Sequence, residues 1–201
     1  MKRHPIQPYL AFCAVLFLLR TVSTSAQASS QAGSQSLLTI NAPPFTVKVY
    51  VFLAEGCPIC EQATPELKRL VGKFAARDVE FMGVFPNDFS DSASVQEFGR
   101  TFKLSFPLVL DTAQTLTRRL DARITPQAVI TLPSGEIVYS GRIDNLFVAL
   151  GKRRAAATSH DVEAALEAVL KGTMPAIRQT TAVGCVIERR WRDVPREAAA
   201  K

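Results

Sequence analysis

Val47 to Leu53 reads Val-Lys-Val-Tyr-Val-Phe-Leu, a β-rich apolar run with a single interruption at Lys48. A run this apolar leaves no face for water, so it predicts a strand buried on both sides. A sheet covered on both faces needs helices, and the rest of the chain supplies them in alternation with further strands. After the turn Ala54-Glu55-Gly56, apolar residues Ala63, Leu67, Leu70, Val71 and Phe74 recur at spacings that place them on one helical face. Val79 to Phe85 then reads as a second strand, Ser92 to Phe102 as a helix, and Leu108 to Leu110 as a short strand. Ala113, Leu116 and Leu120 mark another short helix.

The second half has a different rhythm. Ala128 to Leu132 and Ile137 to Ser140 are β-rich runs joined by Pro133-Ser134-Gly135-Glu136, which predicts a hairpin. A last helix carries the stripe Val162, Ala165, Leu166, Val169 and Leu170, with Thr158 and Asp161 expected to form its capping box and Gly172 to end it. Strand, helix, strand, helix, strand, helix, hairpin, helix is the order of an α/β layered domain whose mixed sheet has one antiparallel edge.

The N-terminus follows different rules. Lys2, Arg3 and His4 precede the apolar stretch Tyr9 to Leu19, and Ala26-Gln27-Ala28 supplies small residues of the A-x-A type. This is the pattern of a cleaved secretory signal over residues 1–28. An eleven-residue apolar run at 1.5 Å per residue falls short of the ~30 Å bilayer core, so no membrane span is expected after cleavage. Cleavage removes three cations and no acids, lowering the net charge from +6 to +3 and leaving 173 of the 201 residues. A charge of +3 is no nucleic-acid footprint, and the clusters Lys152-Arg153-Arg154 and Arg189-Arg190-Trp191-Arg192 read as solvated loop and tail. Residues 29–36 form a Ser/Gln/Gly spacer, 37–172 the domain, and 173–201 a C-terminal extension containing Cys185.

Reactive side chains are few. Beyond residue 28 the chain keeps Cys57, Cys60, Cys185 and one histidine, His160. A structural zinc site wants four N/S ligands, and no second Cys pair or His cluster exists to provide them, so no metal is expected. His160 sits at the start of the last helix, distant in sequence from every cysteine, which disfavours hydrolases built on a His base. Copper delivery is disfavoured too, because no histidine lies near Pro126 in sequence.

Cys57-Pro58-Ile59-Cys60 stands where the buried strand gives way to a helix. A cysteine at a helix N-terminus faces unsatisfied backbone N–H groups and the positive end of the dipole, both of which favour thiolate over thiol. Cys60, one turn on, lies within reach of a mixed disulfide on Cys57. Pro58 suits the first turn, where its missing N–H has no intrahelical partner. The same pair could be a structural disulfide or half a metal site; a CxxC joining strand to helix in a β/α pattern favours redox exchange.

With these residues the sequence resembles the thioredoxin-fold superfamily, and within it the secreted redoxin branch of thiol–disulfide reductases and AhpC/TSA peroxiredoxin-like domains. The resemblance runs from about Phe45 to Lys171. Pro65 falls where thioredoxins carry a helix-kinking proline. Phe106-Pro107-Leu108-Val109-Leu110-Asp111 is similar to the segment leading to the cis-proline, and Ile124-Thr125-Pro126 to the cis-proline loop. The resemblance implies a thioredoxin-like fold, a central mixed sheet flanked by helices with an inserted helix and a C-terminal extension. It further implies a cis Pro126 and a substrate groove formed by Thr125, Pro126, Pro58 and Ile59, where a polypeptide can pair as an extra strand. Cys57 and Cys60 would be the catalytic pair, working without an organic cofactor on protein thiols and disulfides with a protein electron donor, in a periplasm.

Departures from the pattern qualify that expectation. Val51 stands where thioredoxins bury an Asp, and Gly56 replaces the aromatic before the motif, opening the approach to Cys57. Glu55 and Glu61 flank the pair and would raise its thiol pKa against the helix dipole. Ala54 occupies the Thr/Ser position that orients peroxide in peroxiredoxins, which disfavours the peroxidase alternative; a non-enzymatic binding or assembly module is the other. Cys185 in Gly184-Cys185-Val186 reads as a buried apolar residue, an accessory redox thiol or an intermolecular cross-link. Gly141-Arg142-Ile143-Asp144 reads as a turn held by its own Arg–Asp pair.

Overall fold

A computed structural model describes residues 46–188. The expected signal and spacer (1–36) and the cluster Arg189–Arg192 lie outside the described residues. Strands β1 (Val47–Phe52), β2 (Val79–Phe85) and β3 (Leu108–Leu110) pair in parallel, while β5 (Gln127–Thr131) and β6 (Ile137–Gly141) are antiparallel, giving the order β3-β2-β1-β5-β6. Helices α1 (Pro58–Phe74), α2 (Ser92–Phe102), α3 (Thr115–Arg119) and α4 (Asp161–Leu170) complete a thioredoxin-like α/β fold. No helix among the described residues is long and apolar enough to cross a membrane.

β1 is the central strand, and both of its faces are covered. Val47, Val49 and Val51 pack into a cluster with Leu67, Leu70 and Phe74 of α1 and Val162, Leu166 and Val169 of α4. Phe52 and Tyr50 enter a second cluster with Val129, Leu116 and Ile187. The one polar residue of the run, Lys48, reaches out to Glu80 at 3.5 Å.

α1 continues through Pro65. A proline there offers no N–H to the carbonyl of Glu61, a loss that makes interior proline costly. The Thr64 hydroxyl donates to that carbonyl at 2.8 Å instead. α3 is anchored by the buried carboxylate of Asp111, which accepts from the backbone N–H groups of Thr115 and Thr117 at 2.7 and 2.8 Å and from the Thr117 hydroxyl at 2.8 Å.

Two expectations are corrected. Thr158 does not cap α4: the helix begins at Asp161, and Thr158 is engaged by Asn145, whose amide donates to its hydroxyl at 2.8 Å and whose carbonyl accepts its N–H at 2.8 Å. Arg142 pairs with Asp161, at 2.9 and 3.2 Å, and not with Asp144, whose carboxylate accepts the Leu146 N–H. Lys152 and Arg153 are exposed as expected, yet they form a strand, β8 (Lys152–Arg153), against β7 (Phe147–Ala149).

Residues 178–188 run back over the sheet. Thr180 donates its N–H to Ser140 and its hydroxyl meets the Tyr139 hydroxyl at 2.7 Å. Further on, Ile187 is buried and donates its N–H to the Arg123 carbonyl at 2.9 Å. Between these two anchors lies a two-residue strand, β9 (Cys185–Val186), antiparallel to β4 (Ile124–Thr125).

Candidate functional site: three sulfurs at the start of α1

Cys57 is the N-cap residue of α1 in an extended conformation, with Pro58 in the first turn. The preceding bend needs Gly56, whose φ of +67° is a left-handed value. The sulfur of Cys57 therefore sits at the positive end of a 17-residue helix. Cys60 faces the same way one turn later and is fully buried. The Thr125–Pro126 bond is cis, as the resemblance implied, and the Cys57 thiol lies 3.4 Å from the Thr125 carbonyl. Ile59 and Pro126 line one small crevice beside Ala63 and Val183, and Pro58 is exposed.

Contrary to the open approach expected from Gly56, Cys57 is completely covered. Its cover is Cys185, whose Sγ lies 3.1 Å from Cys57 Sγ and which is itself exposed, against the reading of a buried apolar residue. All three cysteines are free thiols. Beside them opens a cavity of about 430 Å³ lined by Cys57, Cys185, Glu55, Asn87, Phe89 and Val186. Phe89 and Val186 form an exposed apolar lip, at 68% and 71% accessibility.

The electrostatics separate the three thiols. Cys57 is lowered from 9.0 to about 5, chiefly by the hydrogen bond from Cys60; burial opposes the shift and a hydrogen bond from Cys185 adds to it. Burial raises Cys60 well above the ordinary thiol range, and the neighbouring Cys57 charge reinforces the rise. Burial likewise pushes Cys185 up to about 11, with Cys57 contributing in the same direction. No flanking acid is among the leading causes of the Cys57 shift. Glu55 is occupied instead by the hydroxyls of Ser90 and Ser94, which donate to it at 2.6 and 2.7 Å. The sulfurs thus carry one negative charge, on Cys57, stabilised by two protonated neighbours.

Sequence reasoning had named all three cysteines, Thr125 and Pro126, and the structure brings them together. It missed the β4–β9 pairing, for which two-residue strands give no periodic signal. His160 lies elsewhere, at the N-cap of α4, with Nδ1 2.8 Å from Glu66. Glu66, His160 and Glu163 are close enough to share a cation, but Arg69 and Lys73 already neutralise those carboxylates.

The profile of the AhpC/TSA family matches residues 29–140, more than half of the chain. Thiol-disulfide oxidoreductase ResA of Halalkalibacterium halodurans is 32% identical over 87 residues, 43% of this chain and 48% of that protein. The chain therefore matches about half the length of that curated relative. Crystal structures of an uncharacterized conserved protein from Geobacillus kaustophilus and a hypothetical protein from Sinorhizobium meliloti 1021 superpose with a TM-score of 0.64 each, at 24% identity. They cover 73% and 72% of this chain, and 78% and 80% of their own, and share its fold.

Proposed function

The chain belongs to the AhpC/TSA family, and from that premise we propose that it is an exported, periplasmic thiol–disulfide oxidoreductase acting on protein thiols and disulfides through Cys57 and Cys60. The observation that carries the reading is the opposed ionisation of the two thiols: Cys57 held down to about 5 at a helix N-terminus, Cys60 raised by burial behind it. A nucleophile must be a thiolate at working pH, and a resolving thiol must stay protonated until its turn.

In the reductive direction the Cys57 thiolate attacks one sulfur of a substrate disulfide. The other substrate sulfur leaves and takes up a proton. Cys60 then loses its proton and attacks Cys57 Sγ, releasing the substrate as a dithiol and leaving a Cys57–Cys60 disulfide. Two electrons have passed to the substrate, and a protein dithiol donor restores the pair by the reverse route. Thr125 and Pro126, with Pro58 and Ile59, shape the groove beside the sulfur, with no organic cofactor or metal required. The residue 1–28 pattern supports export, with residues 37–172 as the catalytic domain and 173–201 as its extension.

Reduced protein is assayed with insulin and, separately, with hydrogen peroxide. The proposal expects insulin reduction that is lost in Cys57→Ser, and a Cys60→Ser/Cys185→Ser double variant, which lacks both neighbouring thiols, that retains substrate as a mixed disulfide on Cys57. Rapid peroxide turnover with no disulfide reduction would overturn it in favour of a thiol peroxidase, consistent with the family but not with Ala54 at the peroxide-orienting position.

A further inference from the structure

Cys185 is part of a strand docked in the groove that the oxidoreductase reading reserves for substrate. β9 pairs with β4 through Ile124↔Val186 and Thr125↔Cys185. Addition of an extended segment to an exposed strand is a general mode of polypeptide recognition. Here the added segment belongs to the same chain and carries a thiol at the reactive position. Gly184 permits the approach: a Cβ there would stand 2.0 Å from the Thr125 carbonyl oxygen and 3.1 Å from Pro126 Cδ. Beyond β9, Gln114 donates to the Glu188 carbonyl at 2.6 Å, so the segment is fixed past the sulfur as well as before it.

We propose that β9 is a tethered substrate, Cys185 exchanging disulfides with Cys57 from the position that external polypeptides would occupy. The proposal rests on the reading of Cys57 and Cys60 as the exchanging pair. The Sγ–Sγ separation of 3.1 Å is about 1 Å longer than a disulfide bond, so the two sulfurs already stand close to bonding distance. Starting from the Cys57–Cys60 disulfide, Cys185 gives up its proton and its sulfur attacks Cys57 Sγ. The Cys57–Cys185 bond forms as Cys57–Cys60 breaks, and Cys60 leaves as a thiolate that takes the proton. No electrons enter or leave; the same oxidised pair moves between two positions. With Cys57 bonded to Cys185, β9 is fastened in the groove and a competing strand is excluded. With Cys57 bonded to Cys60, β9 is held only by its pairing with β4 and its flanking anchors, and an external chain can displace it.

The test uses the full chain. Cys60→Ser is oxidised with glutathione disulfide, the monomer is isolated, and its links are mapped by non-reducing proteolysis and mass spectrometry. The expected result is an intramolecular Cys57–Cys185 peptide. Glutathione on Cys57 with free Cys185, or only intermolecular Cys185 links, would overturn the proposal. In the wild-type chain, Gly184→Val is expected to abolish the Cys57–Cys185 link, preserve Cys57–Cys60 and speed alkylation of Cys57. Persistence of the Cys57–Cys185 link in Gly184→Val would refute the strand-docking argument. Should Cys57–Cys60 form and insulin be reduced while Cys57–Cys185 never appears, this inference alone fails. Should Cys57–Cys60 itself not form, the oxidoreductase reading fails and takes this one with it.

Discussion

Replacing Cys185 tests how the charge on Cys57 is held. The shift from 9.0 to about 5 corresponds to about 5 kcal/mol of preference for the thiolate, at 1.36 kcal/mol per unit. Cys60 supplies the largest share, and burial works against it; the Cys185 thiol, 3.1 Å away, adds a further hydrogen bond, and the backbone N–H groups of Cys60 and Cys185 contribute less. A hydrogen bond to an ionised group contributes roughly 1.5–3 kcal/mol, and a thiol is a weak donor, so its loss should raise Cys57 by about one unit. Cys185→Ala removes the donor while β9 keeps its backbone pairing with β4, because that pairing uses no side chain. The midpoint should therefore move from about 5 to roughly 6. Cys185→Ser keeps a donor and should stay near the wild-type value; Cys60→Ala should shift it further than either. Site-resolved iodoacetamide alkylation of the reduced protein against pH reads each midpoint directly. A Cys185→Ala midpoint at or below wild type, or Ala and Ser variants moving together, would show that the Cys185 thiol does not support the Cys57 charge.

Three further outcomes follow from the packing. Thr64→Val leaves the Glu61 carbonyl without the donor that replaces the missing Pro65 N–H; it should cost about 1–2 kcal/mol in urea unfolding, and that cost should largely vanish in a Pro65→Ala background. Arg142→Leu strips the bidentate partner from Asp161, which is 6% exposed, and should lower stability by about 2–4 kcal/mol, whereas replacing Asp144, the partner expected from sequence, should leave the Arg142–Asp161 pair intact. Glu167 is lowered to about 2, first by Arg77 and then by Lys73. A depressed carboxylate contributes stability that is complete above its unfolded value of about 4.3 and lost as pH falls through the folded value. The Tm difference between wild type and Glu167→Gln should therefore be flat above pH 5 and shrink toward pH 2; a difference that grows in acid would contradict the pairing of Glu167 with Arg77 and Lys73.

The sheet was legible because its signal is local. The run from Val47 and the segment Val79 to Phe85 are almost wholly apolar, each with a single charged residue, and became the two adjacent parallel strands at the middle of the sheet, and Ser92–Phe102 became α2 with the bounds expected from its pattern. The sulfurs were legible as residue types at a strand–helix junction. Features set by distant partners were not legible. β4 and β9 are two residues each and are separated by about 60 positions, so neither shows periodicity, and only their mutual pairing makes them strands. Thr158 and Arg142 failed for the same reason: Asn145 and Asp161 outcompeted the sequence-local partners with better-placed groups. The full depression of Cys57 was also out of reach, since the Cys185 part of its support depends on a segment that the fold brings back against it.

Access and leaving-group chemistry together decide how an oxidised form of this site is reduced. Exchange is fastest when the incoming thiolate can reach one sulfur and the other departs as a stable thiolate. In a Cys57–Cys60 disulfide the stable leaving group is Cys57, but expelling it requires attack on Cys60, which is fully buried. Attack must then fall on Cys57, which β9 itself covers, and expel Cys60, whose thiolate is disfavoured by burial. A Cys57–Cys185 disulfide has neither obstacle, since Cys185 is exposed and attack on it expels Cys57. Single-turnover reduction by dithiothreitol should therefore be faster for oxidised Cys60→Ser, which holds Cys57–Cys185, than for oxidised Cys185→Ser, which holds Cys57–Cys60. Equal rates, or the opposite order, would mean that burial of Cys60 does not govern the exchange and that the exposed third thiol gives the site no kinetic route of its own.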